Sequence, residues 1–139
     1  MSEGRKTILI AEDDSVIREL LTEMLKTAGY ELLTATDGVE AVEAFKNYGD
    51  KVKLIISDIG MPRMGGMEAM IFIREMSPSV PIIILSIWED PAYKKIAKQI
   101  GVKDYMKKPF NVDELIKKIR ETLPNDPHDP PQQSSTVRA

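Results

Sequence analysis

The sequence predicts an α/β domain with a doubly wound, five-stranded parallel sheet, and three observations carry that expectation. Ile8-Leu9-Ile10-Ala11, Leu54-Ile55-Ile56 and Ile82-Ile83-Ile84-Leu85 are short, continuous, mostly β-branched runs. Runs of that kind belong to strands covered on both faces, the situation of a parallel sheet. The segments between them carry helical spacing, and strand and helix signals alternate along the chain. Right-handed crossovers then put helices on both faces of the sheet.

The elements follow in order. After the first run, Val16, Ile17, Leu20, Leu21, Met24, Leu25 and Ala28 recur at three and four residues, which makes one apolar helical stripe. Gly29 closes that helix, and residues 31–35 form a weaker second strand. Asp37 with Glu40, and Asn111 with Glu114, have the capping-box spacing, so helices begin near residues 38 and 112. A third helix spans about 66–76. A fourth starts at Pro91, suited to a first helical turn, and runs to about Gln99. Gly101 closes it, and residues 102–106 form the fifth strand.

At 139 residues the chain fits one domain able to bury a sizeable core. Residues 7–123 form that domain, 1–6 a short polar extension, and 124–139, rich in Pro, Gln and Ser, a disordered tail or linker. There is no cysteine, so disulfides, thiolate metal sites and cysteine nucleophiles are excluded. No apolar run approaches the roughly 20 residues of a membrane span, which makes a cytoplasmic protein the expectation. A net charge of -3 gives no global attraction to nucleic acid or anionic membrane. Lysines crowd residues 94–118, a pattern that is usually a solvated face and here also hints at an acidic partner.

In a parallel sheet the carboxyl ends of the strands share one edge, and ligands bind there. Glu12-Asp13-Asp14 follows the first strand, Ser57-Asp58 the third, Ser86 the fourth and Lys107-Lys108-Pro109 the fifth. Adjacent carboxylates repel, and a divalent cation is the natural way to keep them ionised. Oxygen-only ligands favour Mg2+. The set suits phosphoryl transfer, with an aspartate as nucleophile and Lys108 and Ser86 each able to hold a phosphoryl oxygen. Taken singly, Asp13, Asp14 or Ser15 is more often a helix cap, Ser86 a cap or local backbone partner and Lys108 a surface ion pair, while Asp58 is a turn residue about as often as not. Four strand ends supplying one compatible set argue for a site. His128 and the methionines Met61, Met64, Met67 and Met70 keep their ordinary readings, a tail residue and adaptable packing.

Ile8 to Asp14, the stretch from Leu54 with Asp58, Met61-Pro62 and Gly65, then Ser86, and Tyr105 to Phe110 together resemble the receiver domain of bacterial two-component response regulators. The similarity covers about 7–123. It implies the flavodoxin-like (βα)5 fold with strand order 2-1-3-4-5, which the strand pattern alone does not supply. It further implies that Asp58 accepts phosphoryl from a histidine kinase or phosphotransfer protein. Asp13 is then the principal Mg2+ ligand, Glu12 assists through water, and the Gly60 carbonyl completes the protein ligands. Ser86 meets the phosphoryl group, Tyr105 follows it inward, Lys108 pairs with the phosphate, and the Lys108-Pro109 bond is cis as in relatives. The surface of the fourth helix, fifth strand and fifth helix changes as a population shift.

Glu12 stands where many relatives have Asp. Ile87 is bulkier than the small residue usual there, which predicts restricted access of phosphodonors to Asp58. Gly60 and Trp88 occupy the positions that tune acyl-phosphate lifetime in relatives. No DNA-binding segment follows the domain, so output is expected through a downstream protein, a homodimer formed on phosphorylation, or a missing output domain. The domain is then no enzyme in the turnover sense, although it catalyses its own phosphorylation and dephosphorylation. A Mg2+-dependent phosphohydrolase is the main rival, but it places its nucleophile after the first strand and needs a cap. A flavin carrier needs an amide- and hydroxyl-rich loop where Glu12-Asp13-Asp14 stands. A binding-only pseudo-receiver lacks the acid, aspartate or lysine that this chain retains.

Overall fold

The computed structural model describes residues 5–61, 63–87 and 90–123. The strands β1 (Thr7–Ala11), β2 (Glu31–Ala35), β3 (Val52–Asp58), β4 (Ile82–Ser86) and β5 (Asp104–Lys107) form one parallel sheet. Their order is β2-β1-β3-β4-β5, as the family resemblance implies. Among the described residues the helices are α1 (Ser15–Thr27), α2 (Gly38–Tyr48), α3 (Gly66–Met76), α4 (Pro91–Gln99) and α5 (Val112–Thr122), with a 3-10 turn at Gly49–Lys51. Among the described residues no helix is long and apolar enough to cross a membrane.

Strand alternation divides the core in two. Leu9, Ile55, Ile82 and Ile84 point to one face of the sheet, where they meet Phe45 of α2, Met70 and Ile73 of α3 and Ala97 of α4. Ile8, Ile10, Leu54, Ile56, Ile83 and Leu85 point to the other, against Leu21 and Leu25 of α1 and Leu115 and Ile119 of α5. Both faces are therefore covered, which is why the central strands read as unbroken apolar runs. Truncating one of these isoleucines to alanine removes contacts worth about 2–5 kcal/mol. Met61, Met67 and Met70 are core residues too, in keeping with their reading as packing.

The helix ends follow most of the local sequence signals and depart from a few. Asp14 caps α1 by accepting from the Val16 and Ile17 amides. Gly29, at φ 101°, closes α1 with the Tyr30 amide donating to the Leu25 carbonyl. Gly101, at φ 74°, does the same for α4 through Val102 and the Ala97 carbonyl. Val102 is thus spent on that turn, and the fifth strand starts at Asp104 rather than at 102. The third strand is longer than its apolar core and runs from Val52 to Asp58. Asp37 caps α2 by accepting from the Glu40 amide at 2.8 Å, but Glu40 returns its carboxylate to the amide and hydroxyl of Thr36. The reciprocal half of that box therefore falls one residue early. The tail at 124–139 lies outside the described residues.

Two glycines set the position of the loop between β3 and α3. Gly66 donates to the Ile59 carbonyl at 2.6 Å, and a Cβ there would collide with the Asp58 carbonyl oxygen. The steric demand thus falls on Gly66 more than on Gly65. Gly38 donates to the Met64 carbonyl at 2.9 Å, and a Cβ on it would run into the same Met64 backbone. Gly66→Ala is expected to destabilise the fold by about 1–3 kcal/mol, the range for overpacking a closed site. An unchanged urea midpoint would show that the loop yields freely at this point.

Candidate functional site at the carboxyl edge of the sheet

The sheet register assembles the site. Ala11 pairs with Ser57, so Glu12 leaves β1 beside Asp58 at the end of β3. Asp58 pairs with Leu85, which puts Ser86 one residue beyond it on β4. Ser86 pairs with Lys107, and Lys108 follows. The strand order reverses between β1 and β3, and at such a reversal the flanking crossovers part and leave a crevice. The acidic residues emerge there.

Carboxylate oxygens of Glu12, Asp13 and Asp58 lie within 4.8 Å of one another. Glu12 is 2% exposed and Asp58 9%, whereas Asp13 faces solvent. Asp14, the neighbouring acid, is spent on capping α1. Lys108 Nζ donates to Glu12 Oε1 at 2.8 Å and stands 3.5 Å from Asp58 Oδ1. The same Asp58 oxygen accepts from the Ile59 amide at 2.8 Å. The lysine thus bridges two of the three acids. Its main chain belongs to the same frame, with the Lys108 amide donating to the Ser86 carbonyl at 2.8 Å and a cis bond to Pro109.

Burial pushes the Asp58 carboxyl above the ordinary aspartate range. The Lys108 ammonium and the amides of Ile59 and Gly60 pull it back, while the charge of Asp13 adds to the rise. Glu12 is raised for the same leading reason, burial, opposed chiefly by its hydrogen bond from Lys108. Two acids that resist ionisation, with a third beside them, form a set of hard oxygen donors short of positive charge. A small divalent cation fits that donor set.

The other expected residues surround this cluster. Ser86 is fully buried at the end of β4. Tyr105 on β5 is half-buried, with Lys94 of α4 over its ring at 5.6 Å from the centroid. Ile87 is 63% exposed, standing out next to Ser86 at the rim. Gly60 is exposed just past Asp58. Trp88, expected to tune lifetime, lies outside the described residues.

Three contributors escaped the sequence reading. Arg18 of α1 donates to the carbonyls of Glu12 at 2.9 Å and Asp13 at 3.3 Å, which fixes the acidic turn to its own helix. Arg63, at φ 65°, places its guanidinium 2.6 Å from the buried Asp37 carboxylate. The Arg63 partner holds Asp37 below the usual carboxylate range, helped by the Glu40 amide. Together with the Gly38–Met64 hydrogen bond, that pair fastens the loop after Asp58 to the start of α2. Gly66 is the third. The adjacent glycines 65 and 66 were its visible signal; an ion pair between residues 26 positions apart has none.

The fold and site define a flavodoxin-like α/β domain with an acidic pocket and a lysine at the reversal point of its sheet. The model of the response regulator receiver domain matches residues 8–120 of this chain, which therefore belongs to that family. The transcriptional regulatory protein CrdR of Helicobacter pylori is 34% identical over 124 residues, covering 88% of this chain and 57% of CrdR. A cyclic di-GMP phosphodiesterase of Thermotoga maritima is 33% identical over 119 residues, covering 86% of this chain and 31% of that protein. The solved structure of the Vibrio cholerae chemotaxis protein CheY4 superposes with a TM-score of 0.77 at 32% identity, covering 85% of this chain and 98% of CheY4. The chain spans only about a third to somewhat over half of these two curated relatives.

Glu12 and Asp58 ionise less readily in the folded than in the unfolded chain, because their folded values are raised. Their contribution to stability is therefore full below the unfolded carboxylate range and is lost as pH rises through the raised values. Asp58→Asn is expected to melt at a higher temperature than wild type at neutral pH without divalent metal. The difference shrinks as pH falls toward the unfolded carboxylate range. A lower melting temperature for the variant at neutral pH would contradict the charge account.

Proposed function

We propose that the chain works as a phosphorylatable signalling switch whose Asp58 takes a phosphoryl group from the phosphohistidine of a histidine kinase or phosphotransfer protein. One observation carries this reading: a buried aspartate at the sheet reversal, 3.5 Å from a lysine ammonium and grouped with two further carboxylates. An Asp58 oxygen attacks phosphorus, the phosphorus–nitrogen bond breaks, and the imidazole nitrogen leaves with the electron pair and is protonated. The product is an acyl phosphate on Asp58, which water later hydrolyses. Only the chain's own carboxylate turns over, so the domain acts on itself rather than on a released substrate.

Glu12, Asp13, Asp58 and the Gly60 carbonyl are the groups that would hold Mg2+, which when bound supplies the positive charge that phosphoryl transfer requires. Lys108 is positioned to exchange part of its bonding from the acids to a phosphoryl oxygen. Ser86, one residue past Asp58 on the neighbouring strand, offers a hydroxyl to a second one. Movement of the Ser86 side chain toward the phosphoryl group leaves space that Tyr105 enters from β5. Phosphate contacts thereby favour one of two arrangements of the α4-β5-α5 surface, and a downstream protein or an output domain of a longer protein reads the change. Partners carrying phosphohistidine place this work in the cytoplasm. The phosphodiesterase named above shares this region over 31% of its length, and a phosphohydrolase reading is disfavoured by the place of Asp58 after β3 rather than β1.

Intact mass after incubation with magnesium and acetyl phosphate tests the proposal. The expected result is a gain of one phosphoryl group that Asp58→Asn abolishes. No gain in the wild-type chain would reduce the acidic edge to a binding-only pseudo-receiver. Ile87→Ala is expected to take up phosphoryl faster, by several-fold, if the exposed isoleucine screens Asp58 from small donors. An unchanged rate would remove Ile87 from the site.

A further inference from the structure

Of the groups suited to hold Mg2+, the Gly60 carbonyl alone belongs to the backbone. A carboxylate can bring its oxygens to a cation by side-chain rotation, whereas a carbonyl oxygen goes only where its loop goes. Mg2+ demands near-ideal octahedral placement of its ligands, so the path of the loop after Asp58 bears on the cation directly. The chain commits several contacts to that path. The Ile59 amide donates to Asp58 Oδ1 at 2.8 Å, and the Gly66 amide returns to the Ile59 carbonyl at 2.6 Å. Between them stands Arg63 at φ 65°, the one non-glycine residue in the left-handed region among the described residues. Arginine lacks the short polar side chain that eases this conformation in Asn or Asp, so its support must come from elsewhere. Arg63 Nε donates to Asp37 Oδ2 at 2.6 Å, while Asp37 Oδ1 accepts from the Glu40 amide at 2.8 Å. Asp37 is 5% exposed and fixed at the start of α2.

An exposed ion pair usually contributes little, and the Arg63 side chain is 58% exposed. Two features set this pair apart. Its acceptor is buried and already held by α2, so only the arginine has to be ordered. It also acts in step with the Gly38 amide, which donates to the Met64 carbonyl at 2.9 Å, so consecutive residues of α2 grip consecutive residues of the loop. We infer that Arg63 and Asp37 are a positioning pair for the cation site, presetting the Gly60 carbonyl so that Mg2+ binding does not have to order the loop. The inference rests on the Mg2+ reading proposed above and gives a part in it to two residues outside the acidic cluster. Neither is a ligand. Groups that orient a metal ligand typically change affinity by about ten- to a hundredfold, and a pair acting through the backbone belongs at or below the lower end. By linkage, the cation in turn steadies the pair.

The experiment is calorimetric titration of magnesium chloride into the full chain and into Arg63→Met, Asp37→Asn and the double variant. Asparagine still caps a helix, so Asp37→Asn removes the charge and leaves the Glu40 amide an acceptor. Each single variant is expected to bind magnesium roughly five- to tenfold more weakly, and the double variant no more weakly than either, because both changes break one contact. Arg63→Lys should recover part of the loss. Ile119→Val, a core change on α5 away from the loop, should lower the urea midpoint and leave magnesium affinity unchanged. In phosphoryl uptake from acetyl phosphate, the half-saturating magnesium concentration should rise by the same factor, while the rate at saturating magnesium stays within about twofold. A lower urea midpoint for Arg63→Met with unchanged magnesium affinity would reduce the pair to a structural tie and overturn the inference. Losses that add in the double variant would overturn it as well, as would a wild-type chain that binds no magnesium. Intact mass on the same samples separates the two ideas. Uptake with magnesium affinity independent of Arg63 sinks the positioning pair alone, and magnesium binding that depends on the pair without uptake keeps the pair and sinks the switch.

Discussion

The Lys108 ammonium between Glu12 and Asp58 is the interaction on which the rest of the site depends. Two buried carboxylates and a third beside them would not share an edge of the sheet without positive charge between them. The effective penalty for burying one unpaired ion is several kcal/mol. One lysine answers two acids at 2.8 and 3.5 Å, and both remain raised above their ordinary ranges. The folded chain thus holds a charge imbalance at one place. That imbalance gives a cation and then a phosphoryl group something to relieve, and it is why the proposed function is a switch rather than a static contact.

Holding that imbalance requires a rigid frame, and the frame consists mostly of backbone. β1, β3, β4 and β5 bring the four strand ends together by register alone. Arg18 ties the carbonyls of the acidic turn to α1, and the Gly38–Met64 and Asp37–Arg63 links tie the loop after Asp58 to α2. Loops carry function when the scaffold around them is fixed. Here the loop is fastened at both of its ends, by Gly66 on one side and Gly38 on the other.

Much of this was legible in the sequence. Continuous β-branched runs announced the central strands because both sheet faces are covered, and the same runs made Glu12, Asp58, Ser86 and Lys108 stand out as polar interruptions at their ends. Gly29 and Gly101 marked helix ends because only a left-handed residue completes those turns without strain. Strand order was not legible from pattern, since a run of isoleucines carries no record of its neighbours, and it came from resemblance. The start of β5 was misplaced because Val102 reads as a strand residue while its amide is committed to the end of α4. Asp13 and Asp14 are equivalent by residue type, and only the family resemblance singles out Asp13 as a ligand. Geometry divides them, one into the acidic cluster and the other into the cap of α1.

The proposed Mg2+ site at the clustered acids is tested by calorimetric titration of magnesium chloride into the chain and into Asp13→Asn. Asp13 is the exposed member of the cluster, so its loss removes a ligand without emptying the core. Magnesium is expected to bind the wild-type chain and to bind the variant about tenfold or more weakly, in the range for losing one charged contact worth roughly 1.4 kcal/mol or more. Equal heats from the two proteins would contradict it, and the three carboxylates would then be held together for some other reason.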